Sequence, residues 1–153
     1  MRAYLGLGSN LGARRANIEE ALRRLALTKG VAVVAASTII ETAPVGGPEQ
    51  PDYLNAACAV ETTLGARELL REALRIETEM GRVRDVRWGP RVIDIDLLLC
   101  GSEVISQPDL VIPHPRLAQR SFVLGPLAEI APDVRHPLLK KTVREMLRDI
   151  ETT

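Results

Sequence analysis

The chain has 153 residues, 46% of them apolar and 26% charged, with 20 basic residues balanced by 20 acidic ones. That length suits one domain, residues 1–153, with a real core. Zero net charge argues against a general binder of nucleic acid or anionic membrane, which needs a basic surplus, although a local positive patch stays open.

Taken in chain order, Arg2 to Gly8 reads as a first strand, ending in the turn Gly8-Ser-Asn-Leu-Gly12. The spacing of Ile18, Ala21, Leu22 and Leu25 predicts an amphipathic helix, with Asn17 and Glu20 as its start signal and Gly30 as its stop. Val31 to Glu41 is rich in Val, Ile and Thr and reads as one strand. Ala43 to Pro51 carries three prolines and two glycines and reads as a loop. Tyr53 to Thr62 is a further strand. Leu69, Leu70, Ala73, Leu74 and Met80 mark a second helix that stops at Gly81. After an arginine-rich loop comes the strand Val92 to Cys100. The order β-α-β-β-α-β is that of a ferredoxin-like antiparallel sheet with both helices on one face. Pro108, Pro113 and Pro115 mark an irregular segment. A short helix over Phe122–Ile130 follows, then a terminal helix that Thr142 and Glu145 cap and that Val143, Met146, Leu147 and Ile150 stripe. These C-terminal helices are expected to cover the second sheet face, giving a three-layer α/β/α sandwich of the α+β class.

The chemistry concentrates in Val92-Ile-Asp-Ile-Asp-Leu-Leu-Leu-Cys100. A strand alternates its side chains, so Asp94 and Asp96 share one face, while Ile93, Ile95, Leu97 and Leu99 take the other. The apolar run that follows suggests a central strand rather than an edge. Two adjacent carboxylates repel, and burying them unpaired costs several kcal/mol. Solvated acids on a half-exposed strand are the plain alternative, but the neighbourhood favours a metal. Hard oxygen ligands prefer Mg²⁺, which takes one or two carboxylates plus phosphate oxygens. Just upstream, Arg82, Arg84, Arg87 and Arg91 lie among glycines, a proline and Trp88. Such a run is often solvated surface, yet a planar guanidinium donates two parallel hydrogen bonds to phosphate. The two features together point to polyphosphate handling.

Other residues are less decisive alone. His114, between Pro113 and Pro115, suits a structural role as well as a substrate contact. His136 reads as surface. Tyr53 and Asn55 alternate onto one strand face. An amide there matches the edge of a planar heterocycle, on which Tyr53 and Phe122 would stack; a core aromatic and a structural amide fit equally. Gly6-Leu-Gly-Ser-Asn-Leu-Gly12 fails both phosphate-loop templates and reads as a tight strand-to-helix turn. Cys58 and Cys100 lie in apolar runs and read as reduced core residues of a cytoplasmic protein. The sequence shows no leader and no apolar stretch of the ~20 residues a membrane span needs. Only three of the 20 basic residues are lysines, which reads as codon bias.

Together, Leu5–Leu11, Gln50–Ala56, Gly81–Arg84, Arg87–Asp96, Ile112–His114 and Ala128–Asp133 closely resemble the 6-hydroxymethyl-7,8-dihydropterin pyrophosphokinase family. The resemblance implies a ferredoxin-like sandwich that transfers pyrophosphate from ATP to the pterin hydroxymethyl group, releasing AMP, in folate biosynthesis. Position by position, it implies that Asp94 and Asp96 hold two Mg²⁺ ions. Arg82, Arg84 and Arg91 become phosphate contacts, and His114 and Arg120 become ATP contacts. Glu77 and Trp88 match nucleotide-side motif positions. Tyr53 and Phe122 sandwich the pterin, Asn55 meets its edge, and Thr42, Pro44 and Val45 back it. Leu74 and Asp85 depart from the family pattern near ATP. The implied partners are ATP and the pterin alone, with no nucleic acid and no membrane, acting on a monomer. Two other readings compete. A nucleotidyltransferase also uses paired aspartates on a sheet but releases pyrophosphate. A ferredoxin-like RNA-binding module needs exposed strand aromatics and a basic face, and this chain has one Phe, two Tyr and one Trp.

Overall fold

The computed structural model describes residues 1–43, 49–81 and 91–152. Arg82, Arg84, Arg87 and Trp88, and likewise Pro44 and Val45, lie outside the described residues.

The first strand, β1 (Arg2–Ser9), leads into helix α1 (Arg14–Ala26). The α1 residues Ile18, Ala21 and Leu25 are buried, which is the predicted apolar stripe. Asn17 does not start the helix. It sits inside it, and its side-chain amide reaches back to donate to Ser9 Oγ at 3.2 Å and to the Leu11 carbonyl at 2.9 Å, holding the turn closed. Glu20 is paired instead with Arg23 and Arg24 along the exposed face.

The run Val31–Glu41 is two strands rather than one: β2 (Val31–Ala36) and β3 (Ile40–Thr42). The interruption is a local competition for hydrogen bonds. Ser37 Oγ accepts from the Ala57 N–H at 2.8 Å, and Thr38 gives both its N–H and its hydroxyl to the Glu129 carboxylate. Both pieces pair antiparallel with β4 (Tyr53–Thr62). Helix α2 (Ala66–Glu79) follows, and its end passes through Gly81 at φ +97°, as the glycine stop predicts.

Strand β5 (Asp94–Cys100) pairs antiparallel with β1, completing the order β2–β4–β1–β5 with β3 also on β4. That is the ferredoxin-like arrangement. Among the described residues strand β5 is therefore an edge, not a central strand. Its apolar run is explained by cover at that edge. The buried Glu77 carboxylate accepts from the Ile95 N–H at 2.7 Å, and the His114 N–H donates to the Leu98 carbonyl at 2.9 Å.

A register shift between β1 and β5, with Leu5 opposite Leu97 and Tyr4 opposite Leu99, leaves Leu98 as an extra residue. The shift ends the simple alternation. Ile93, Ile95 and Leu97 pack with α1 and α2, whereas Leu98 and Leu99 both enter the opposite layer. Leu99 thus faces away from the set that strict alternation assigns it to.

The supposedly irregular segment contains a hairpin, β6 (Ile105–Gln107) and β7 (Leu110–Ile112), turned on Pro108-Asp109. Proline then aspartate in the middle of a turn is favourable chemistry, and Arg67 of α2 secures the hairpin by donating to Gln107 and Asp109. A short 3₁₀ turn (Leu117–Gln119) precedes α3 (Ser121–Ile130), and α4 (Val143–Glu151) closes the described chain. Leu124, Leu127, Val143 and Met146 bury against Tyr4, Ala57, Ala59, Leu98 and Leu99. Helices thus cover both faces of the sheet. Cys58 and Cys100 are buried free thiols within the α1/α2 core, and burial pushes them up to about 12 and about 11.

His136 is not surface: it is 6% exposed, and its Nδ1 accepts from the N–H groups of Leu138 and Leu139. A ring that satisfies two turn amides is held inside, whatever its neighbours in sequence.

The terminal helix gives a direct test. Thr142 Oγ1 accepts from the Glu145 N–H at 3.1 Å while Glu145 accepts from the Thr142 N–H at 2.9 Å, the reciprocal cap expected from the sequence. Thr142→Ala is expected to lower unfolding free energy by about 1 kcal/mol in urea titration.

Candidate active site

The site lies on the α3 side of the sheet, at the end where β1 finishes and β5 begins. Register builds it. Gly6 stands opposite Asp96 and Gly8 opposite Asp94 across the β1–β5 pair. On the other side of β1, Gly8 stands opposite Asn55. In an antiparallel sheet, directly opposed residues point to the same face. So Asp94, Asp96, Asn55 and, two residues earlier on β4, Tyr53 surround a strip of β1 that has no side chains. A Cβ on Gly8 would sit 3.0 Å from Asn55 Oδ1 and 3.4 Å from the Tyr53 ring. These glycines belong to the strand, where they floor the site, and only Gly12, at φ +74°, serves the turn. Sequence reading missed this. The signal that marks it is the i, i+2 spacing of Gly6 and Gly8, which puts both on one face.

Asn55 is 9% exposed, and its side-chain N–H donates to Thr42 Oγ1 at 2.6 Å, tying β4 to β3. Its second N–H and its carbonyl can read a neighbouring donor–acceptor edge. Tyr53 is half-buried. Burial chiefly, then the negative charge of Asp94, pushes its phenol up to about 12, with Arg91 opposing and Asp96 adding to the rise. Tyr53, Arg91, Asp94 and Asp96 therefore share one electrostatic neighbourhood, and the phenol stays protonated.

Arg120 closes the site from the start of α3. Burial lowers its pKa, the Asp96 carboxylate opposes that shift, and Arg116 adds to it. Its guanidinium carbon lies 5.6 Å from the centre of the Phe122 ring, a cation–π contact. His114 Nδ1 accepts from the Arg116 N–H at 3.1 Å, so the ring proton resides on Nε2. Burial above all, then Arg120 and Arg116, pushes this histidine down to about 4. It is a neutral N–H donor under ordinary conditions.

Glu77 reaches β5 from the other layer. It is 3% exposed, and it holds the amide lying between the two aspartates. Two further residues were not singled out from sequence. Asn10 and Gln50 bond side chain to side chain at 2.7 Å, joining the end of β1 to the approach to β4.

Two carboxylates on a bare floor fit Mg²⁺, which completes its octahedron with water and phosphate oxygens. They do not fit a zinc centre, and no cluster of three or more His, Cys, Asp or Glu occurs among the described residues. None of the helices among the described residues is long and apolar enough to cross a membrane.

Comparison with known proteins points to one family. Residues 4–132 match the family model described as 7,8-dihydro-6-hydroxymethylpterin-pyrophosphokinase. The 2-amino-4-hydroxy-6-hydroxymethyldihydropteridine pyrophosphokinase of Methylorubrum extorquens is 49% identical over 150 residues, covering 98% of this chain and 94% of the relative. Its namesake in Bacillus subtilis is 46% identical over 132 residues, covering 86% of this chain and 79% of the relative. Among solved structures, wild-type Plasmodium falciparum HPPK-DHPS with pteroate superposes with a TM-score of 0.78 at 16% identity. That alignment covers 97% of this chain and 42% of the solved chain, so it speaks for the fold and for under half of that protein.

The depressed His114 gives a pH prediction. The unfolded chain protonates this ring near its ordinary value of 6.5, whereas the folded chain does so only near 4. Between those values the unfolded state binds more protons, so stability is fully present above 6.5 and falls as pH drops toward 4. His136 is lowered as well and adds to the same slope. Urea midpoints measured at about pH 7 and about pH 5 should differ more in the wild type than in His114→Gln.

Proposed function

This chain belongs to the 7,8-dihydro-6-hydroxymethylpterin-pyrophosphokinase family, and from that premise we propose that it transfers pyrophosphate from ATP to 6-hydroxymethyl-7,8-dihydropterin, releasing AMP, in folate biosynthesis. The observation that carries the reading is the placement of Asp94 and Asp96 opposite Gly8 and Gly6, with Asn55 and Tyr53 across the same bare strip. An acidic metal-binding edge and a heterocycle-reading edge meet there at one end of the sheet.

The pterin lies over the Gly8 floor. Asn55 meets its edge, Thr42 orients that amide, and Tyr53 and Phe122 stack on the rings, Phe122 with the face opposite Arg120. Pro44 and Val45 back the ring. ATP lies along β5, its phosphates met by Arg82, Arg84 and Arg91, and its remainder by Trp88, the His114 Nε2–H and Arg120. Glu77 supports this strand from behind. Asp94 and Asp96 would hold two Mg²⁺ ions, which when bound would supply charge neutralisation along the triphosphate and lower the pKa of the pterin hydroxyl.

In the reaction the hydroxyl oxygen forms a bond to the β-phosphorus, and the bond from that phosphorus to the α,β-bridging oxygen breaks, so AMP leaves. The hydroxyl proton passes to solvent, since none of the site's described side chains is placed as an obligatory base. Tyr53, protonated, and His114, neutral, are poor proton acceptors here. Catalysis then rests on positioning and on fixed positive charge at the phosphates. The protein acts in the cytoplasm as a monomer.

Incubation with ATP, Mg²⁺ and the reduced pterin alcohol should yield AMP and no free pyrophosphate, resolved by ion-exchange chromatography. Release of pyrophosphate would instead support nucleotidyl transfer. Asp94→Ala should reduce turnover by at least about a thousandfold, on the order of 4 kcal/mol in the barrier. Gly8→Ala should weaken pterin binding by about tenfold or more, on the order of 1.4 kcal/mol, and leave ATP affinity unchanged, read by fluorescence titration. A wild-type pterin Kd in that variant would mean the floor is placed wrongly.

A further inference from the structure

Asn10 is 1% exposed, lies just beyond β1 and has no part in the chemistry above. A buried amide must find partners for one acceptor and two donor hydrogens. Its Oδ1 accepts from the Arg91 N–H at 2.7 Å, and its Nδ2 donates to Gln50 Oε1 at 2.7 Å and to the Pro51 carbonyl at 3.1 Å. Its own backbone N–H donates to the Arg91 carbonyl at 3.1 Å. One residue therefore joins three chain segments, the end of β1, the approach to Tyr53 and the approach to Asp94.

We infer that Asn10 is a positioning residue that sets Arg91 against the pterin side of the site, a claim that rests on the proposed pyrophosphoryl transfer. Two bonds fix the Arg91 backbone, so the root of its side chain cannot drift relative to β1. The Arg91 side chain is half-buried beside Tyr53, and its Nη1 is buried with no hydrogen-bond partner among the described residues. A desolvated guanidinium N–H is costly to leave unmade, so it serves best where an anion will arrive. The other two bonds fix Gln50 and Pro51, two or three residues before Tyr53. Asn10 thereby sets the spacing between the group that meets phosphate and the ring that meets pterin. An error of about 1 Å in that spacing is enough to cost around a hundredfold in rate.

The test separates the two halves of the amide. Asn10→Ala loses both, and should lower kcat by about tenfold or more, raise the pterin Kd by a similar factor and leave the ATP Kd within about twofold. Asn10→Asp keeps the acceptor for the Arg91 N–H but cannot donate to Pro51. It should retain most of kcat while pterin binding still weakens, a split that general loss of stability does not produce. Gln50→Ala removes a pterin-side partner of Asn10 while leaving the bond to the Arg91 amide in place, and should raise the pterin Kd with kcat near wild type, which covers the case in which Asn10→Ala fails to fold. Hydrogen exchange of the Arg91 amide provides a readout independent of turnover. Its protection should fall in Asn10→Ala and persist in Asn10→Asp. Absence of AMP from the wild-type enzyme would defeat the activity reading while exchange still decides the positioning claim. That claim is overturned if folded Asn10→Ala keeps Arg91 protection, or keeps kcat and pterin Kd within about twofold of wild type. It is equally overturned if Asn10→Asp loses as much kcat as Asn10→Ala, or if Gln50→Ala leaves the pterin Kd unchanged.

Discussion

The pairing of β1 with β5 in one register is the constraint on which the site depends. With Gly6 opposite Asp96 and Gly8 opposite Asp94, both acids stand on the α3 side of the sheet and are only partly buried. A slip of one residue would turn them into the layer of Ile18, Leu69 and Ile76, where an unpaired carboxylate costs several kcal/mol. The register is enforced from the far end of the strand. Because Leu98 is extra, Leu98 and Leu99 both fill the α3/α4 core while Leu97 and Cys100 fill the other. One strand thus packs two cores along its second half and presents two charges from its first.

Placing that strand at an edge leaves backbone groups to be satisfied. The Ile95 amide goes to the buried Glu77 carboxylate, and the Leu98 carbonyl accepts from the backbone of His114. The second bond has a consequence for the site. It draws the proline-bounded segment against β5, which buries His114, sets it beside Arg120 and Arg116 and so keeps its imidazole neutral. Edge protection and delivery of an uncharged donor are one arrangement.

The architecture was largely legible in the sequence because periodicity reports burial. The stripes of α1 and α4 and the Thr142–Glu145 cap are where the pattern put them, whereas α2 buries Leu69, Ala73 and Ile76 and leaves Leu74, assigned to its stripe by the spacing, exposed. What was not legible depended on partners distant in sequence. Nothing within Val31–Glu41 announces that Glu129 will take the Thr38 amide and break the strand. Nothing near His136 announces the two turn amides that hold it inside, and a continuous apolar run does not distinguish a central strand from an edge that other groups cover. Of the candidate site, Asp94, Asp96, Tyr53 and Asn55 were marked by their spacing, Phe122 by its fitness to stack on a ring, and Arg120 took its role from the resemblance. Gly6, Gly8 and Asn10 went unmarked, because their contributions are an absence of side chain and a set of bonds to residues 40 to 81 positions away.

Charge balance connects these parts. Among the described residues, Asp94 and Asp96 contribute two negative charges, Arg91 and Arg120 two positive ones, and neutral His114 and protonated Tyr53 none. Such a site is close to neutral before substrate arrives, so a nucleoside triphosphate adds negative charge that these side chains do not offset. On the proposed reading, the missing positive charge comes from Mg²⁺ and from Arg82 and Arg84. Nucleotide without metal would meet the two carboxylates as repulsion. The acids then discriminate as well as hold. On that reading they penalise the free nucleotide and admit its magnesium complex, and the glycine strip beneath them leaves that complex beside the pterin whose hydroxymethyl oxygen accepts the pyrophosphate.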